Sequence, residues 1–492
     1  MYLSKSDFLK YQLCSSFLWL WKYKKEVVPL DEAEDIERRL EQGNEIEAFA
    51  RKLFSNGVLV EGSGELAERQ TLEYVRSGVK TIFQATVYSD NGLLAMADVI
   101  EFDEVSQSWT LYEVKSTNSV KPEHIMDVAF QKAAFAGSGY KIGKTGVIFL
   151  NKEYVRQSVV DPTKLLVKED ISARVDEVLP EIIQQMYDAL AVVNSTQEPE
   201  TCSCRLNTKS KHCPTFSYLN KDIPEYSVFN LSRIRGKKLE NLVDNEILSV
   251  TDVPSDMKLS AVQTNQVAVA KSGRPIVDKG KIDKMFQELE YPLYFLDYET
   301  VSTAIPLFAG CKPFQQIPFQ YSLHVLESAD SKLKHAEYLS RNEAKLPINE
   351  LLKSMSDNIG ETGSVIVWYK SFEMSRNNEM AAMLPEFEPF LTSVNERVFD
   401  LMDIFSKQHY VHPDFKGSSS IKAVLPVLVP ELSYKDMDIQ NGAVASVRWY
   451  DAIVGSVGSE DAEGIFNSLI EYCKLDTLAM VRIYEHLKTM TS

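Results

Sequence analysis

Tyr291-Pro-Leu-Tyr-Phe-Leu-Asp297-Tyr-Glu299-Thr300 is a mostly apolar run that ends in two carboxylates two positions apart. A short apolar run with aromatic residues reads as a buried strand. Side chains at i and i+2 of a strand share a face, so Asp297 and Glu299 are expected side by side. Two like charges that close are costly unless a cation neutralises them. Oxygen-only ligands favour a hard divalent ion such as Mg²⁺ or Mn²⁺. For the pair taken alone, the alternative is a solvated strand end.

The far C-terminus adds weight to the metal reading. Residues 461–489 have helical spacing, and Tyr472 and Asp476 within them are i, i+4, on one helix face. An aromatic hydroxyl one turn from a carboxylate suits a site that positions a water beside a metal ion. Val365-Ile-Val-Trp-Tyr-Lys-Ser-Phe-Glu373 reads as another buried strand, ending in an acid that opens a helix. In this order the motifs resemble the DEDD exonucleases, the proofreading-type (DnaQ-like) branch of the ribonuclease H-like fold. Their first motif is Asp-x-Glu, matched by Asp297 and Glu299. Their third, in the "y" subclass, is Tyr-x3-Asp, matched by Tyr472 and Asp476. Their second ends in Phe-Asp; here it is Phe372-Glu373, one methylene longer. The resemblance implies that Asp297, Glu299, Glu373 and Asp476 bind two divalent ions and that Tyr472 orients the attacking water. Two such ions about 3.5–4 Å apart stabilise both the entering and the leaving oxygen of a phosphodiester displacement. Asp400, in Val398-Phe-Asp-Leu, is expected to be structural.

The N-terminal half carries a second constellation. Leu93 to Asp103, Ser108 to Lys115 and Gly143 to Leu150 read as strands, and Pro122 to Gly137 as a helix containing Asp127 and Gln131. Asp98 precedes Glu113-x-Lys115, whose two members share a strand face. An acid pair can hold a metal ion, and an ammonium beside it can offset developing phosphate charge. Alone, the pattern is weak, and a salt-bridged surface strand is its usual explanation. With the Ser4–Cys14 segment before it and the Gln-bearing helix after it, it resembles the RecB-like PD-(D/E)XK nucleases. The iron–sulfur exonucleases of CRISPR-associated and helicase–nuclease systems are the members it resembles most. That implies Asp98 and Glu113 as metal ligands, Lys115 as the catalytic lysine and Gln131 as the downstream motif residue. Where such nucleases often carry an upstream His, this chain has Gly43-Asn-Glu45-Ile-Glu47, with Glu45 a candidate extra ligand.

Cys14, Cys202, Cys204 and Cys213 repeat the layout of the iron–sulfur members: one early cysteine and three after the nuclease core. By that resemblance they hold a [4Fe–4S] cluster, which commonly needs four thiolates. Family spacing separates the first two late cysteines by two residues, whereas one separates Cys202 from Cys204. A Zn²⁺ site using Cys202, Cys204, Cys213 and His212 or Cys14 is the rival. Cys311 and Cys473 read as ordinary thiols.

The chain has 492 residues, 44% of them hydrophobic, enough for two or three globular α/β domains. The expected layout is a PD-(D/E)XK restriction-endonuclease-like domain over 1–215, a mostly helical bridge over 216–288 and a ribonuclease H-like domain over 289–492. No apolar run reaches the ~20 residues of a membrane span, and the start lacks a secretory pattern, so a cytoplasmic location is expected. The net charge of −17 argues against a general nucleic-acid coat protein but not against a nuclease, whose acids are neutralised by bound cations. Two stretches offer local basic surface: Arg233-Ile-Arg-Gly-Lys-Lys238, and Lys5 to Lys25 with its interleaved aromatics. Each is equally read as a solvated face. The expected function is a metal-dependent nuclease with two active sites, acting exonucleolytically on single-stranded or frayed DNA, with RNA second. The alternative is a catalytically decayed nucleic-acid-binding or metal-cluster scaffold protein in a repair or defence complex.

Overall fold

The protein is described here from a computed structural model over residues 2–29, 33–341 and 345–491. It is a mixed α/β chain in two units. The first comprises Met1–Ile223 with Thr303–Phe314; the second comprises Pro224–Ser302 with Gln315–Ser492.

The first unit is built on a seven-stranded sheet. Its long strands, Thr81–Tyr88, Leu93–Asp103, Ser108–Lys115 and Ile142–Leu150, lie side by side in chain order. The first three pair antiparallel, and the last two pair parallel. A parallel pair needs a crossover, which the Pro122–Gly137 helix provides; Pro122 opens it where no N–H partner is needed. Both faces of Ser108–Lys115 are covered. Trp109 and Leu111 share a core with Phe130 and Phe135 of the crossover helix, whereas Tyr112 and Val114 pack in the core of Phe54 and Phe83. The two-residue period carries Glu113 and Lys115 onto the Trp109–Leu111 face. The Ser172–Asn194 helix buries Val175, Ile182, Met186, Ala189 and Val193, a stripe at three- and four-residue spacing.

The second unit holds a five-stranded sheet in the order Lys334–Leu339, Ile317–Leu326, Leu293–Val301, Ser364–Val367, Val398–Asp400. The first two pairings are antiparallel and the last two parallel. The central strand is Leu293–Val301. Its Tyr294, Leu296 and Tyr298 enter one core with Leu351, Leu352 and Met355. By alternation Phe295, Asp297 and Glu299 project the other way, towards the long Ser459–Thr491 helix, where the Phe295 and Tyr484 rings lie 5.9 Å apart.

The division differs from the expected one in two places. The 216–288 bridge is not a body of its own: residues 224–288 fall with the second unit. Ile276–Val277 pairs with Tyr410–Val411, and Phe286 packs edge-on to Tyr484 at 5.0 Å. Residues 303–314 fall with the first unit. There Ala304 joins the core of Phe83 and Ile148, and Arg156 donates to the carbonyls of Pro306 (2.5 Å) and Leu307 (2.7 Å).

Candidate functional site

The acids of the second unit converge. Asp297 and Glu299 come from the central strand, Glu373 from the first turn of the Lys370–Met383 helix, and Tyr472 and Asp476 from the Ser459–Thr491 helix. All five line one cavity of ≈ 490 Å³, together with Trp368 and Lys422. One ligating atom each from Asp297, Glu299 and Cys473 lies within 4.8 Å of the others, and Asp297 Oδ2 is 3.8 Å from Cys473 Sγ. Asp400 stands outside the cavity wall. Its carboxylate accepts from the N–H groups of Tyr369 (3.0 Å), Lys370 (2.9 Å) and Met402 (3.1 Å). It thereby fastens the start of the Glu373 helix, where Tyr369 sits in the left-handed region at φ 79°.

Burial dominates the electrostatics of this acid cluster, with Lys422 and Arg376 as the positive charges that act on it. Burial raises Asp297, Glu299 and Glu373 well above the usual carboxylate range, and neighbouring carboxylates add to it. Glu373 Oε2 is buried with no hydrogen-bond partner among the described residues. Burial brings Asp476 to about 6; the rise is limited by the Tyr434 hydroxyl, which donates to its Oδ1 at 2.6 Å, and by Lys422. Buried acids this close are tolerable when protonated or when a cation joins them, so the donor set fits a hard divalent ion. Burial and the surrounding carboxylates push the Tyr472 hydroxyl far up, which leaves it a hydrogen-bond donor rather than a base.

In the first unit Glu113, Lys115 and Gln131 meet in a closed network, and Asp98 is near enough to feel the Glu113 charge. The Glu113 carboxylate accepts from Lys5 (2.5 Å), Lys115 (2.8 Å) and Gln131. Lys115 also reaches Asp127 at 2.5 Å. Burial works to raise Glu113, yet Lys5 and Lys115 outweigh it and hold the group at about 2. On the adjoining strand Asp98 is pushed up to about 8, by burial first and then by Glu113. Its oxygens accept from the Val114 N–H (2.7 Å) and from Gln84 (3.3 Å). Glu45 is exposed, whereas the half-buried Glu47 adds its charge to the field on Asp98. Glu47 is itself paired with Arg51 at 2.8 Å.

Cys14, Cys202, Cys204 and Cys213 form a group that could hold a metal, with all four Sγ atoms within 4.8 Å of one another. Cys202 Sγ lies 3.4 Å from Cys14, 3.2 Å from Cys204 and 3.4 Å from Cys213. These separations exceed the ~2.05 Å of a disulfide, and all four are free. Cys14 is drawn far below the usual thiol range by the other three, while Cys202 and Cys204 are pushed far up. Phe17 and the partly buried Trp21 and Phe216 enclose the group. His212 does not belong to it; its ring stacks on Phe216 at 3.5 Å and its Nε2 pairs with the Asn207 carbonyl. In the Lys5–Lys25 stretch, Lys22 and Lys24 are committed to Asp7 (2.7 Å) and Glu198 (2.6 Å), and Lys10 and Lys25 both lie over the Trp21 ring.

Residues 294–420 match a family described as a domain of unknown function (DUF2779). The match takes in Asp297, Glu299 and Glu373 and stops before Tyr472 and Asp476. Among curated proteins the chain is similar to the uncharacterized protein UU173 of Ureaplasma parvum, with 26% identity over 341 residues, 64% of this chain and 48% of that protein. It is also similar to the uncharacterized protein MG366 of Mycoplasma genitalium, with 27% identity over 219 residues, 41% of this chain and 33% of that protein. The MG366 homolog of Mycoplasma pneumoniae gives 28% over 228 residues, 42% and 34%. The chain thus spans half or less of the length of these relatives. Among the described residues no helix is long and apolar enough to cross a membrane.

Several residues at these sites were not singled out from the sequence. Cys473, read as an ordinary thiol, touches Asp297. Its position one residue after Tyr472 was the available signal. Lys5, Tyr434 and Lys422 lie far along the chain from the groups they serve, and no spacing rule links them.

Proposed function

We propose that this protein is a metal-dependent nuclease that hydrolyses phosphodiester bonds of single-stranded or frayed DNA, RNA being the second substrate. On this reading the second unit is a ribonuclease H-like exonuclease domain of the DEDDy type, and the first is a PD-(D/E)XK nuclease domain. The observation that carries it is the meeting of Asp297, Glu299, Glu373, Tyr472 and Asp476 in one cavity.

Asp297, Glu299, Glu373 and Asp476 would hold Mg²⁺ or Mn²⁺. The bound ions would neutralise charge at phosphorus and lower the pKa of water. Asp297 and Glu299 are fixed by a strand buried on both sides, and Glu373 by the Asp400 clamp on its helix. Tyr472 would hold the attacking water through its hydroxyl, and Tyr434 keeps Asp476 oriented by a 2.6 Å hydrogen bond. Lys422, on the cavity wall, would attract the phosphate. In the first unit Asp98 and Glu113 would form the ligand pair, with Lys115 beside the reacting phosphate. There Lys5 occupies the Glu113 oxygen and must give way, so the acidic cavity is the readier of the two sites.

Thiolates from Cys14, Cys202, Cys204 and Cys213 would hold a structural metal centre. A metal–sulfur bond of ~2.3 Å sets the edges of an S₄ tetrahedron at about 3.8 Å. The observed 3.2–3.4 Å separations are nearer to that than to a four-iron cube, which puts a different iron under each sulfur. The spacing therefore favours one tetrahedral ion such as Zn²⁺, ahead of the cluster that the family resemblance implies. Metal analysis with a visible spectrum of anaerobically purified protein decides between them: about one colourless ion per chain, or brown protein rich in iron and sulfide.

Nuclease activity is tested by incubating end-labelled single strands with the full chain in Mn²⁺ or EDTA. Shortening of the strands in Mn²⁺ that disappears in Asp297→Ala and Asp476→Ala supports the assignment to the second unit. Unchanged rates in both variants, with Glu113→Gln added to silence the first unit, overturn it.

A further inference from the structure

The Arg233-Ile-Arg-Gly-Lys-Lys238 segment takes no part in the acidic cavity, but it borders another one in the same unit. This second cavity measures ≈ 740 Å³ and has Arg233, Arg235 and Lys238 on its wall. All three side chains are exposed, and none has an ion pair or hydrogen bond among the described residues. Among the described residues no carboxylate lines the cavity. In a chain of net charge −17, three unneutralised cations around one hollow form an isolated positive field, the kind that draws a phosphate.

The loop that carries these cations is braced from behind. Two buried glutamines of the Ala261–Ser272 helix hold its backbone: Gln266 Oε1 accepts from the Ser232 N–H at 2.8 Å, and Gln263 donates to the Ser232 carbonyl at 2.9 Å. Gly417, at φ +82°, closes against them; a Cβ there would collide with Gln266 Nε2. The floor is aromatic. Phe405, Tyr410 and Phe415 pack on one another with ring centroids 5.7–6.0 Å apart. Gln408, also on the wall, has an Oε1 without a partner among the described residues. The rings are buried, with Phe405 stacked on both Trp368 and Tyr410, so they make the hollow's floor rigid and apolar; the basic rim and the spare acceptor are what a nucleotide's phosphate and base edge require.

The two cavities share a wall. Trp368 lines the acidic cavity, stacks on Phe405 at 5.5 Å and donates from Nε1 to the Ser419 carbonyl at 3.2 Å. Ser418 and Ser419 line the basic cavity, and Ile421 and Lys422 line the acidic one. The carboxylate cavity and the arginine cavity thus adjoin through Trp368 and residues 418–422.

We infer that the basic cavity is a nucleotide subsite, with phosphate on Arg233, Arg235 and Lys238 and the base edge towards Gln408, and that it anchors the strand whose end lies at Asp297 and Glu299. The strand as source of that nucleotide rests on the nuclease reading; a free nucleoside phosphate offers the same chemistry. The test is binding of a fluorescein-labelled oligothymidylate, and separately of thymidine monophosphate, to the full chain in EDTA, where no cleavage occurs. Arg233→Ala/Arg235→Ala/Lys238→Ala should weaken strand binding about tenfold or more and lower the salt slope by about two to three. Lys332→Ala, an exposed lysine after the Ile317–Leu326 strand, should change it less than about twofold. Triple-variant-sensitive binding of thymidine monophosphate without strand binding keeps the subsite and makes a free nucleotide its occupant. Equal strand and nucleotide binding by wild type and triple variant, or none by wild type, overturns the proposal. A wild type that binds strands through these cations yet never shortens them in Mn²⁺ leaves the subsite standing and removes the nuclease reading.

Discussion

Asp297, Glu299 and Glu373 bind protons more tightly than free carboxylates, because burial and mutual repulsion penalise their charged forms. A folded-state pKa above the unfolded one contributes stability that is present at low pH and lost as pH rises through the folded value. Metal-free protein should therefore lose stability with rising pH, and Asp297→Asn should restore on the order of 1–3 kcal/mol at about pH 8 while abolishing Mn²⁺-dependent cleavage. Urea unfolding in EDTA measures the first effect; a variant less stable than wild type at that pH would mean the carboxylate is already satisfied within the protein. Asp98, at about 8, has the same sign. Asp98→Asn should raise the unfolding temperature at about pH 9 more than at about pH 4, where the wild-type side chain is largely protonated when folded. Glu113, at about 2, has the opposite sign: its contribution is present above its ordinary value and lost as pH falls towards 2.

At the scale of elements, two devices position the sites. Asp400 joins the end of the Val398–Asp400 strand to the first turn of the Lys370–Met383 helix through backbone N–H groups. Asp400→Ala should cost about 1–2 kcal/mol, the usual loss for a helix N-terminal acceptor, and should slow cleavage by shifting Glu373. Asp400→Asn keeps an acceptor and should recover most of both; equal loss in the two variants would argue for a direct role of the charge. The cysteines tie the Lys5–Leu13 and Ser15–Tyr23 helices to the segment after Asn194. Because metal binding to such a site adds to folding free energy, Cys213→Ser should release the metal and lower the unfolding temperature of the first unit. Metal content and calorimetry on the same sample report both, and full metal occupancy in the variant would remove Cys213 from the ligand set.

At the scale of the molecule, the chain passes between its units three times, at 223/224, 302/303 and 314/315. The 303–314 excursion gives the first unit Ala304 and the two carbonyls that hold Arg156. A fragment of residues 1–223 lacks them and should be less stable than the same unit in the full chain by on the order of 2–4 kcal/mol. Thermal unfolding of fragment and full chain followed by tryptophan fluorescence makes the comparison; identical first transitions would show the excursion to be dispensable.

Local pattern was sufficient for elements and for pairs close in sequence. The apolar run before Asp297, the i, i+4 pair Tyr472 and Asp476, the strands carrying Asp98 and Glu113, and the Pro122–Gly137 helix could all be read, because strand and helix periods fix which neighbours share a face. Contacts between distant segments could not be. The placing of Cys473 against Asp297, Lys5 on Glu113, Tyr434 on Asp476 and Asp400 beneath the Glu373 helix depends on how whole elements pack, as does the transfer of residues 303–314 to the first unit. The basic stretch at 233–238 was visible as charge, but only the fold gives it an aromatic floor and a wall in common with the acids. Periodicity is a property of a few adjacent residues, whereas a site is made where elements far apart in the chain are driven together by burial of their apolar faces.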